Sequence, residues 1–541
     1  MDYLSLCLIC KDENDYLPEW LDYHILMGVD RFYIYDNDSQ ISLRASLADY
    51  IERGWVVVID TPGRSMQLYV YDHCLQTFGS NTFWLGFIDT DEFLVPKIVN
   101  DLKELLKGYE AYGGLAVSSL FFGSNGHSER PTSGQIAAYT LRSHSTFKEN
   151  ELVKCIVQPR LVLMPGSPHD FLYKENACCV NEAFLRVDDQ RFPNYIDKIQ
   201  LNHYFCRSTS ELDKKLRRGR PSTVETWPRK RFDLVDRMAT YSDLLILQNL
   251  EMIFWKEGSV LFRHPTATDS QPVGLVEKMA TLVRERTRAK LLPSTNTFET
   301  FNLRADFVVW MDLKAQGRLA KKREDYGQLC QVFQRLIGMQ PQYPNLYVNL
   351  ADCFLQLGNP DAAWQELAAA WKLAPQSYAV LQGMASFFLW MKNFAMLEKT
   401  CHLILEMAPH NLMVLGYLAE ALFGQGRFEE GLHVGLPVVE LSAEVGELPP
   451  GVGLFLVKKM VAYLLEKKDY PGVVRLWQAG VLCQPGDVDA LVELIRALIV
   501  AGDKTGARQR LVQARELAPR NEILLDLQRQ LGSPHLNRNR R

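Results

Sequence analysis

The chain has 541 residues, too many for one hydrophobic core, so its length predicts two or three domains. Its formal net charge of −4 at pH 7 argues against a globally basic protein that binds nucleic acid. The eleven cysteines show no disulfide-framework spacing, and we expect neither a signal peptide nor a transmembrane segment. We therefore expect a cytoplasmic protein, with peripheral contact at the inner membrane face left open.

The first 125 residues alternate predicted strands and helices, which indicates an α/β domain with a mostly parallel, Rossmann-like sheet. The helix after the first strand has Pro18 in its first turn and Gly28 at its end, both typical helix boundaries. The G-x-G-x-x-G fingerprint of dinucleotide-binding domains does not occur in this region. Strands are predicted at 4–10, 29–35, 55–59 and 82–88, and further helices at 41–51 and 66–78.

The fourth predicted strand runs directly into Asp89, Thr90 and Asp91. Ligands of open α/β sheets bind beyond the carboxyl ends of the strands, and paired carboxylates suit a hard divalent cation. The simplest chemical interpretation is Mn²⁺ or Mg²⁺ bridged to a diphosphate. A solvated acidic strand end is the alternative, because Asp-x-Asp also occurs by chance.

The pattern changes twice further along the chain. Residues 115–205 are rich in short apolar runs typical of strands, and the proline-containing stretch 264–300 predicts a domain boundary. Beyond it, prolines at 341, 375 and 409, and again at 485 and 519, are 34 residues apart, which is the tetratricopeptide period. We therefore predict one domain at 1–300 and about six helical repeats at 301–535.

Several motifs of the first 300 residues resemble glycosyltransferase family 92 and its bacterial family-2-like relatives, which have the GT-A fold. The motifs, in order, are KDENDYLPEW (11–20), YH (23–24), GVD (28–30), YDNDS (35–39), IDTDEFL (88–94), FGSNGH (122–127) and NHYF (202–205). The resemblance implies transfer of a sugar from a nucleotide-sugar donor, with a UDP-sugar favoured, to a glycan hydroxyl. It also implies inversion at the sugar and usually a requirement for Mn²⁺.

Candidate site residues follow from these motifs and from their positions after the strands. Asp91 is the first candidate metal ligand, Asp89 is a candidate for the metal or the ribose, and His203 is a candidate third ligand with a packed histidine as its alternative. Positions after the first three strands predict further contacts to the donor. These are Lys11, Glu13, Asp36, Asn37, Arg64 and Gln67.

An inverting transferase needs a carboxylate that deprotonates the acceptor hydroxyl. Asp170 and Glu182 are the candidates for this base, and Asn125 and His127 are candidates for binding the sugar or the acceptor. Residues 207–231 contain nine cations and three acids, a net charge of 9 − 3 = +6. This segment is a candidate for closing over a diphosphate or for meeting an anionic acceptor or a membrane surface, and a solvated helix face is the alternative.

Two other functions compete with the transferase. Haloacid-dehalogenase-type phosphatases also place Asp-x-Asp after an apolar strand, but Glu92 and Phe93 depart from the residues that follow it there. A non-catalytic scaffold is the second alternative, in which the repeats bind a protein partner or a second copy and the front domain is degenerate. The presence of Glu13, Asp36, Asp89 and Asp91 favours the enzyme.

Overall fold

The computed structural model describes residues 1–218, 229–256, 274–286, 304–445 and 453–532. Backbone contacts divide the chain into two compact units, Met1–Val380 and Leu381–Arg541. The boundary predicted at 264–300 lies largely outside the described residues and stays a prediction. The first unit nevertheless includes helices beyond residue 300.

The first unit is built around a mixed sheet of ten strands, with two further two-stranded sheets beside it. The strands are β1 (Asp2–Cys10), β2 (Arg31–Asp36), β3 (Val56–Asp60), β4 (Thr82–Phe87), β5 (Glu92–Pro96), β6 (Gly114–Phe121), β7 (Leu141–Arg142), β8 (Val153–Val157), β9 (Val162–Pro165), β10 (Phe171–Tyr173), β11 (Cys179–Val180), β12 (Arg186–Val187), β13 (Ile199–His203) and β14 (Tyr241–Ser242).

Helices connect and cover these strands. They are α1 (Leu17–Leu26), α2 (Leu43–Ser46), α3 (Ala48–Glu52), α4 (Gln67–Phe78), α5 (Leu102–Leu106), α6 (Gln135–Ala138), α7 (Thr209–Arg218), α8 (Arg229–Met238), α9 (Leu245–Lys256) and α10 (Leu275–Glu285). The helix predicted at 41–51 is wrong as a single element. The chain leaves the helical conformation at Leu47, between α2 and α3, where ψ is 16°.

The parallel part of the sheet has the order β3-β2-β1-β4. In register, Cys10 pairs with Asp36 and Asp36 pairs with Asp60, so the carboxyl ends of the first three strands lie level at one edge. Phe87, the last residue of β4, pairs with Cys7. The residues that follow β4 therefore continue along β1 toward the same edge.

Helix α1 fixes the segment that follows the Asp-x-Asp motif. Its side chains are buried, and Trp20 Nε1 and the Tyr23 hydroxyl donate hydrogen bonds to the carbonyls of Glu92 and Leu94 in β5, at 2.8 and 2.9 Å. His24 accepts from the Leu94 N–H at 3.3 Å, and burial lowers its pKa to about 3. The neutral histidine is thus a structural residue that ties α1 to β5.

Helices follow from Ala305 onward, most of them arranged as antiparallel pairs. They are α11 (Ala305–Lys322), α12 (Tyr326–Met339), α13 (Pro344–Gln356), α14 (Pro360–Leu373), α15 (Tyr378–Trp390), α16 (Phe394–Met407), α17 (Leu412–Gly424), α18 (Phe428–Val445), α19 (Gly453–Glu466), α20 (Tyr470–Cys483), α21 (Val488–Val500), α22 (Lys504–Leu517) and α23 (Glu522–Gln530). None of the helices within the described ranges is long and apolar enough to cross a bilayer.

The turns inside the helix pairs share one local design. A residue with positive φ, such as Gly358 or Gly502, precedes an Asn or Asp whose side chain caps the next helix, such as Asn359 or Asp503. A left-handed residue lets the chain reverse, and the cap satisfies an otherwise free N–H of the first helical turn. The 34-residue period of the sequence therefore corresponds to a repeated turn.

Candidate active site

The site is centred on the turn between β4 and β5, which carries Asp89, Asp91 and Glu92. The Glu92 N–H donates to the Asp89 carbonyl at 3.1 Å, and the Asp89 N–H donates to Glu92 Oε2 at 2.9 Å. This tight turn directs three carboxylates to the carboxyl edge of the sheet. Asp91 and Glu92 are buried, whereas Asp89 is partly exposed.

Lys154 of β8 neutralises one side of this turn. Its Nζ lies 2.9 Å from Asp89 Oδ2 and 3.3 Å from Glu92 Oε2, and the residue is almost fully buried. Burial by itself would lower the pKa of Lys154, but the charges of Asp89 and Glu92 outweigh it and hold that pKa well above its usual value. Lys154 therefore remains a buried ammonium group.

Asp91 contacts a different pair of groups. Its Oδ2 lies 2.8 Å from Lys215 Nζ of α7 and 3.7 Å from His203 Nε2 at the end of β13. Burial by itself would raise the pKa of Asp91, but Lys215 and His203 hold it well below its usual value. The other ring nitrogen of His203 lies 3.5 Å from Glu92 Oε1, and its ring packs against Phe121. Asp91 is thus an ionised carboxylate beside an oriented imidazole.

Arg207 adds a buried guanidinium group close to Asp91. Its Nη1 donates to Glu13 Oε2 at 2.8 Å, its Nε donates to Gln135 Oε1 at 3.0 Å, and its guanidinium lies 4.0 Å from the Tyr16 ring centroid. Its Nη2 has no hydrogen-bond partner among the described residues. Its φ of 51° lies in the left-handed region, a strained conformation that the surrounding contacts must hold in place.

The donor set at Asp91 suits a divalent ion with few protein ligands. No group of three or more His, Cys, Asp or Glu side chains is arranged to hold a metal anywhere in the described ranges. Mg²⁺, however, is usually held by one or two carboxylates together with substrate phosphates. Asp91 Oδ2 and His203 Nε2 are 3.7 Å apart. If both bound one ion as adjacent ligands, this distance would be about 3 Å. Asp89 is paired with Lys154 and Asp91 with Lys215, and the roles of Asp89, Asp91 and His203 as metal ligands stay predictions.

The predicted donor-binding residues are spread along the same edge of the sheet, and two of them make structural hydrogen bonds. Asp36 accepts from the N–H groups of Ser39 and Leu43, and Asn37 donates to the carbonyls of Thr61 and Gly63. These bonds hold the loops after β2 and β3 together. Glu13 is paired with Arg207, as described above.

The remaining donor candidates flank Asp89 or lie on loops. Gln67, at the start of α4, donates to Asp89 Oδ1 at 3.3 Å, so the structure brings these two predictions together. Arg64 is exposed on the loop before α4, and Lys11 is half-buried directly after β1.

Asn125 and His127 lie on the loop after β6, where their side chains brace neighbouring segments. Asn125 donates to Thr140 Oγ1 and accepts from the Leu141 N–H, both at 3.1 Å. His127 Nε2 lies 3.3 Å from the Ala138 carbonyl, and its own carbonyl accepts from Thr209 at the start of α7. Their role in binding sugar or acceptor stays a prediction.

The two candidate bases do not contact the carboxylate turn. Glu182 is buried and accepts the N–H groups of Asp197, Lys198 and Ile199 at 2.6 to 3.0 Å. Ile199 and His203 are at opposite ends of β13, about 13 Å apart at the usual rise per residue. Asp170 accepts from the Tyr343 hydroxyl of the first repeats at 2.5 Å. The role of either carboxylate as a base stays a prediction from sequence.

Sequence reasoning missed several members of the site. Glu92 belongs to a quoted motif without an assigned role, and Lys154 and Gln135 were not singled out, since each lies far along the chain from the carboxylates. Arg207 and Lys215 were noticed only as members of the basic segment 207–231. The useful signal was that cluster of cations directly after the NHYF motif.

The four parallel strands, the turn with its three carboxylates and Lys154 lie almost entirely within one stretch that can be compared with known families. Residues 3–187 match the sequence model of glycosyltransferase family 92. The N-terminal part of the chain is therefore similar to family 92 glycosyltransferases, and residues 330–386 match a tetratricopeptide-repeat model. The family 92 match ends before His203, Arg207 and Lys215.

Relatives and solved structures cover parts of the chain. A family 92 protein of Oryza sativa subsp. japonica is 28% identical over 183 residues, 33% of this chain and 31% of the relative. One of Ricinus communis is 28% identical over 186 residues, 32% of each. The chain thus spans about a third of the length of these relatives. The structure reported for Pseudomonas aeruginosa pilF is 14% identical with a TM-score of 0.33, covering 42% of this chain and all of that one.

Proposed function

We propose that the family 92 domain is a metal-dependent glycosyltransferase that moves a sugar from a nucleotide-sugar donor to a glycan or other hydroxyl acceptor, with inversion. The supporting observation is the pair of Asp91 and His203 at the carboxyl edge of the sheet, with the ammonium group of Lys215 2.8 Å from Asp91. That edge is where α/β sheets bind their ligands. The similarity to family 92 supports the same reaction class.

In this proposal, Mn²⁺ or Mg²⁺ supplies Lewis-acid stabilisation of the leaving nucleoside diphosphate. Asp91 and His203 would hold the ion, and Glu92 orients His203 through the other ring nitrogen. Lys154 pairs with Asp89 and Glu92 and fixes their side chains, so that the carboxylate turn has its geometry before a ligand arrives.

The experiment is a thermal-shift screen of the intact chain with UDP-sugars and GDP-sugars, with and without Mn²⁺. A ligand that binds only the folded protein raises its melting temperature by mass action. We expect one nucleotide class to raise it in a Mn²⁺-dependent manner, with a UDP-sugar favoured. Asp91→Asn should abolish this shift.

The matched control is Asp60→Asn, at the exposed end of β3, which removes a carboxylate from the same sheet edge but not from the site. This variant should retain the full shift. If neither nucleotide class shifts the wild-type protein, the transferase proposal is wrong and the scaffold alternative gains support.

For the repeat array we propose a separate function, the recruitment of a protein partner, an acceptor or a second copy of the chain. Tetratricopeptide repeats stack helix pairs into extended surfaces that suit such binding. Light scattering of the full chain over a range of concentrations tests self-association, since a rising mass would identify the second copy as the partner.

A further inference from the structure

Lys215 contacts Asp91, the carboxylate that would hold the proposed ion. Its Nζ lies 2.8 Å from Asp91 Oδ2, the same oxygen that approaches His203, and 3.2 Å from the Phe205 carbonyl. The ammonium group also lies 4.8 Å from the ring centroid of Phe205. In this state the lysine supplies the positive charge that a metal would supply.

An ammonium group and a divalent ion cannot both bind one carboxylate oxygen without strong repulsion between the two positive charges. A nucleoside diphosphate removes this conflict, because its negative charges can be shared by the ion and the ammonium group. The long lysine side chain can reach a new acceptor by rotating its own bonds, with α7 staying in place. Lys215 and an ion therefore compete for Asp91 when no diphosphate is bound. When the diphosphate is bound, both can remain in the site.

Arg207 is the fixed counterpart of this movable lysine. Glu13, Gln135 and the Tyr16 ring hold its guanidinium, yet Nη2 has no partner among the described residues and the residue is 8% exposed. An arginine with a buried N–H group left over is suited to bind a phosphate oxygen. Arg207 also lies close enough to Asp91 to help lower its pKa.

We propose that Lys215 holds Asp91 in the ligand-free protein and transfers to the donor diphosphate when metal and nucleotide bind, with Arg207 as the fixed second cation of the same phosphate site. This inference rests on the proposed function and assigns two residues that bind its leaving group. Metal and nucleotide then bind cooperatively, because the nucleotide removes the lysine from the metal's carboxylate.

The test is isothermal titration calorimetry of the full chain. Three affinities are measured: that for Mn²⁺ alone, that for UDP or GDP in the presence of EDTA, and that for each nucleotide in the presence of Mn²⁺. The variant is Lys215→Met, which keeps much of the length and apolar stem but removes the charge. We expect Mn²⁺ alone to bind this variant more tightly than wild type. Each nucleotide that binds wild type should bind Lys215→Met at least about tenfold more weakly, as loss of a charge-assisted hydrogen bond predicts.

Two further variants separate charge from folding. Lys214→Met removes an exposed lysine from the same helix and should leave all three affinities unchanged. Lys215→Arg restores the charge and should recover most of the nucleotide affinity, which an effect of packing alone would not do. Melting temperatures of all variants show whether each is folded.

The inference is overturned if Lys215→Met leaves both Mn²⁺ affinity and nucleotide affinity unchanged, or if it weakens both. Failure of the proposed function is a separate result, in which wild type binds neither UDP nor GDP with Mn²⁺. That result overturns both proposals, whereas normal nucleotide binding by wild type and Lys215→Met alike overturns the lysine exchange alone.

Discussion

At the scale of single residues, the site consists of carboxylates paired with buried or partly buried cations. Asp89 pairs with Lys154, Asp91 with Lys215 and Glu13 with Arg207. Such pairs contribute little net stability, but removal of one member leaves an uncompensated buried charge. Each pair is therefore sensitive to substitution on either side.

Lys154→Met should destabilise the first unit by about 3 kcal/mol, because Asp89 and Glu92 lose the cation that neutralises them. Urea unfolding followed by tryptophan fluorescence measures this loss. Lys148→Met, at an exposed lysine nearby in the chain, is the control and should change little. Adding Glu92→Gln to Lys154→Met should recover part of the loss. A loss near zero would contradict a structural role for this ion pair.

Glu19 gives the protein a pH-dependent stability. Burial raises its pKa from 4.5 to about 7, although it accepts the N–H groups of Gln135 and Ile136. The unfolded chain releases this proton near pH 4.5 and the folded protein near pH 7, so stability falls as pH rises between these values. The shift of 7 − 4.5 = 2.5 pKa units corresponds to about 3 kcal/mol.

Glu19→Gln should remove this component, so the variant's melting temperature should fall less than that of wild type between pH 4.5 and 7. Glu52→Gln, at an exposed glutamate, should follow the wild-type curve. If the Glu19→Gln and wild-type curves run parallel over this range, the pKa of Glu19 is not raised in the folded protein.

At the scale of elements, the repeats are held by their caps as well as by their apolar faces. Asp503 accepts the Gly506 N–H at 2.8 Å at the start of α22. Asp503→Ala should destabilise the second unit by about 1 kcal/mol, as loss of a helix cap usually does. Circular dichroism melting of the full chain measures it. Asp526→Ala, within α23 and exposed, is the control, and an equal effect of both variants would show that capping is not the cause.

Elements with a strong local pattern could be predicted from sequence. The strands predicted at 4–10 and 55–59 correspond to Asp2–Cys10 and Val56–Asp60, and the helix predicted at 66–78 corresponds to Gln67–Phe78. The break at Leu47 had no such signal in the sequence. The start of α2 also depends on a contact outside the helix, because the Asp36 carboxylate at the end of β2 accepts the Leu43 N–H.

At the scale of the whole molecule, the first unit continues into the repeats. Lys314 Nζ of α11 donates to the Gly166 carbonyl at 2.7 Å, and the Tyr343 hydroxyl before α13 donates to Asp170 Oδ2 at 2.5 Å. His169, next to Asp170, bonds to the Val153 carbonyl beside Lys154. Helices of the repeat region are thereby linked to the strand that carries a cation of the site.

Tyr343→Phe tests this link, because it leaves Asp170 without its hydroxyl donor while Asp170 Oδ1 also has no partner among the described residues. We expect a loss of about 1 to 3 kcal/mol in the stability of the first unit, measured by urea unfolding. Tyr347→Phe is the control, since its hydroxyl bonds locally to the Pro341 carbonyl.

The same pair of positions decides the role of Asp170. If it is structural, Asp170→Asn and Tyr343→Phe should lower stability alike and leave sugar transfer intact. If Asp170→Asn abolishes transfer while Tyr343→Phe retains it, Asp170 is the base predicted from sequence.

The sequence by itself determined the α/β character of the first domain, the carboxylates at the end of β4 and the 34-residue period of the helices. These are local properties, set by the side chains of neighbouring residues and by short repeats. Only the tertiary structure decided which cations meet those carboxylates. Asp89 and Lys154 are 65 positions apart, Asp91 and Lys215 are 124 apart, and Glu13 and Arg207 are 194 apart. Such pairs form only when the sheet order brings distant loops to one edge, which no local pattern encodes.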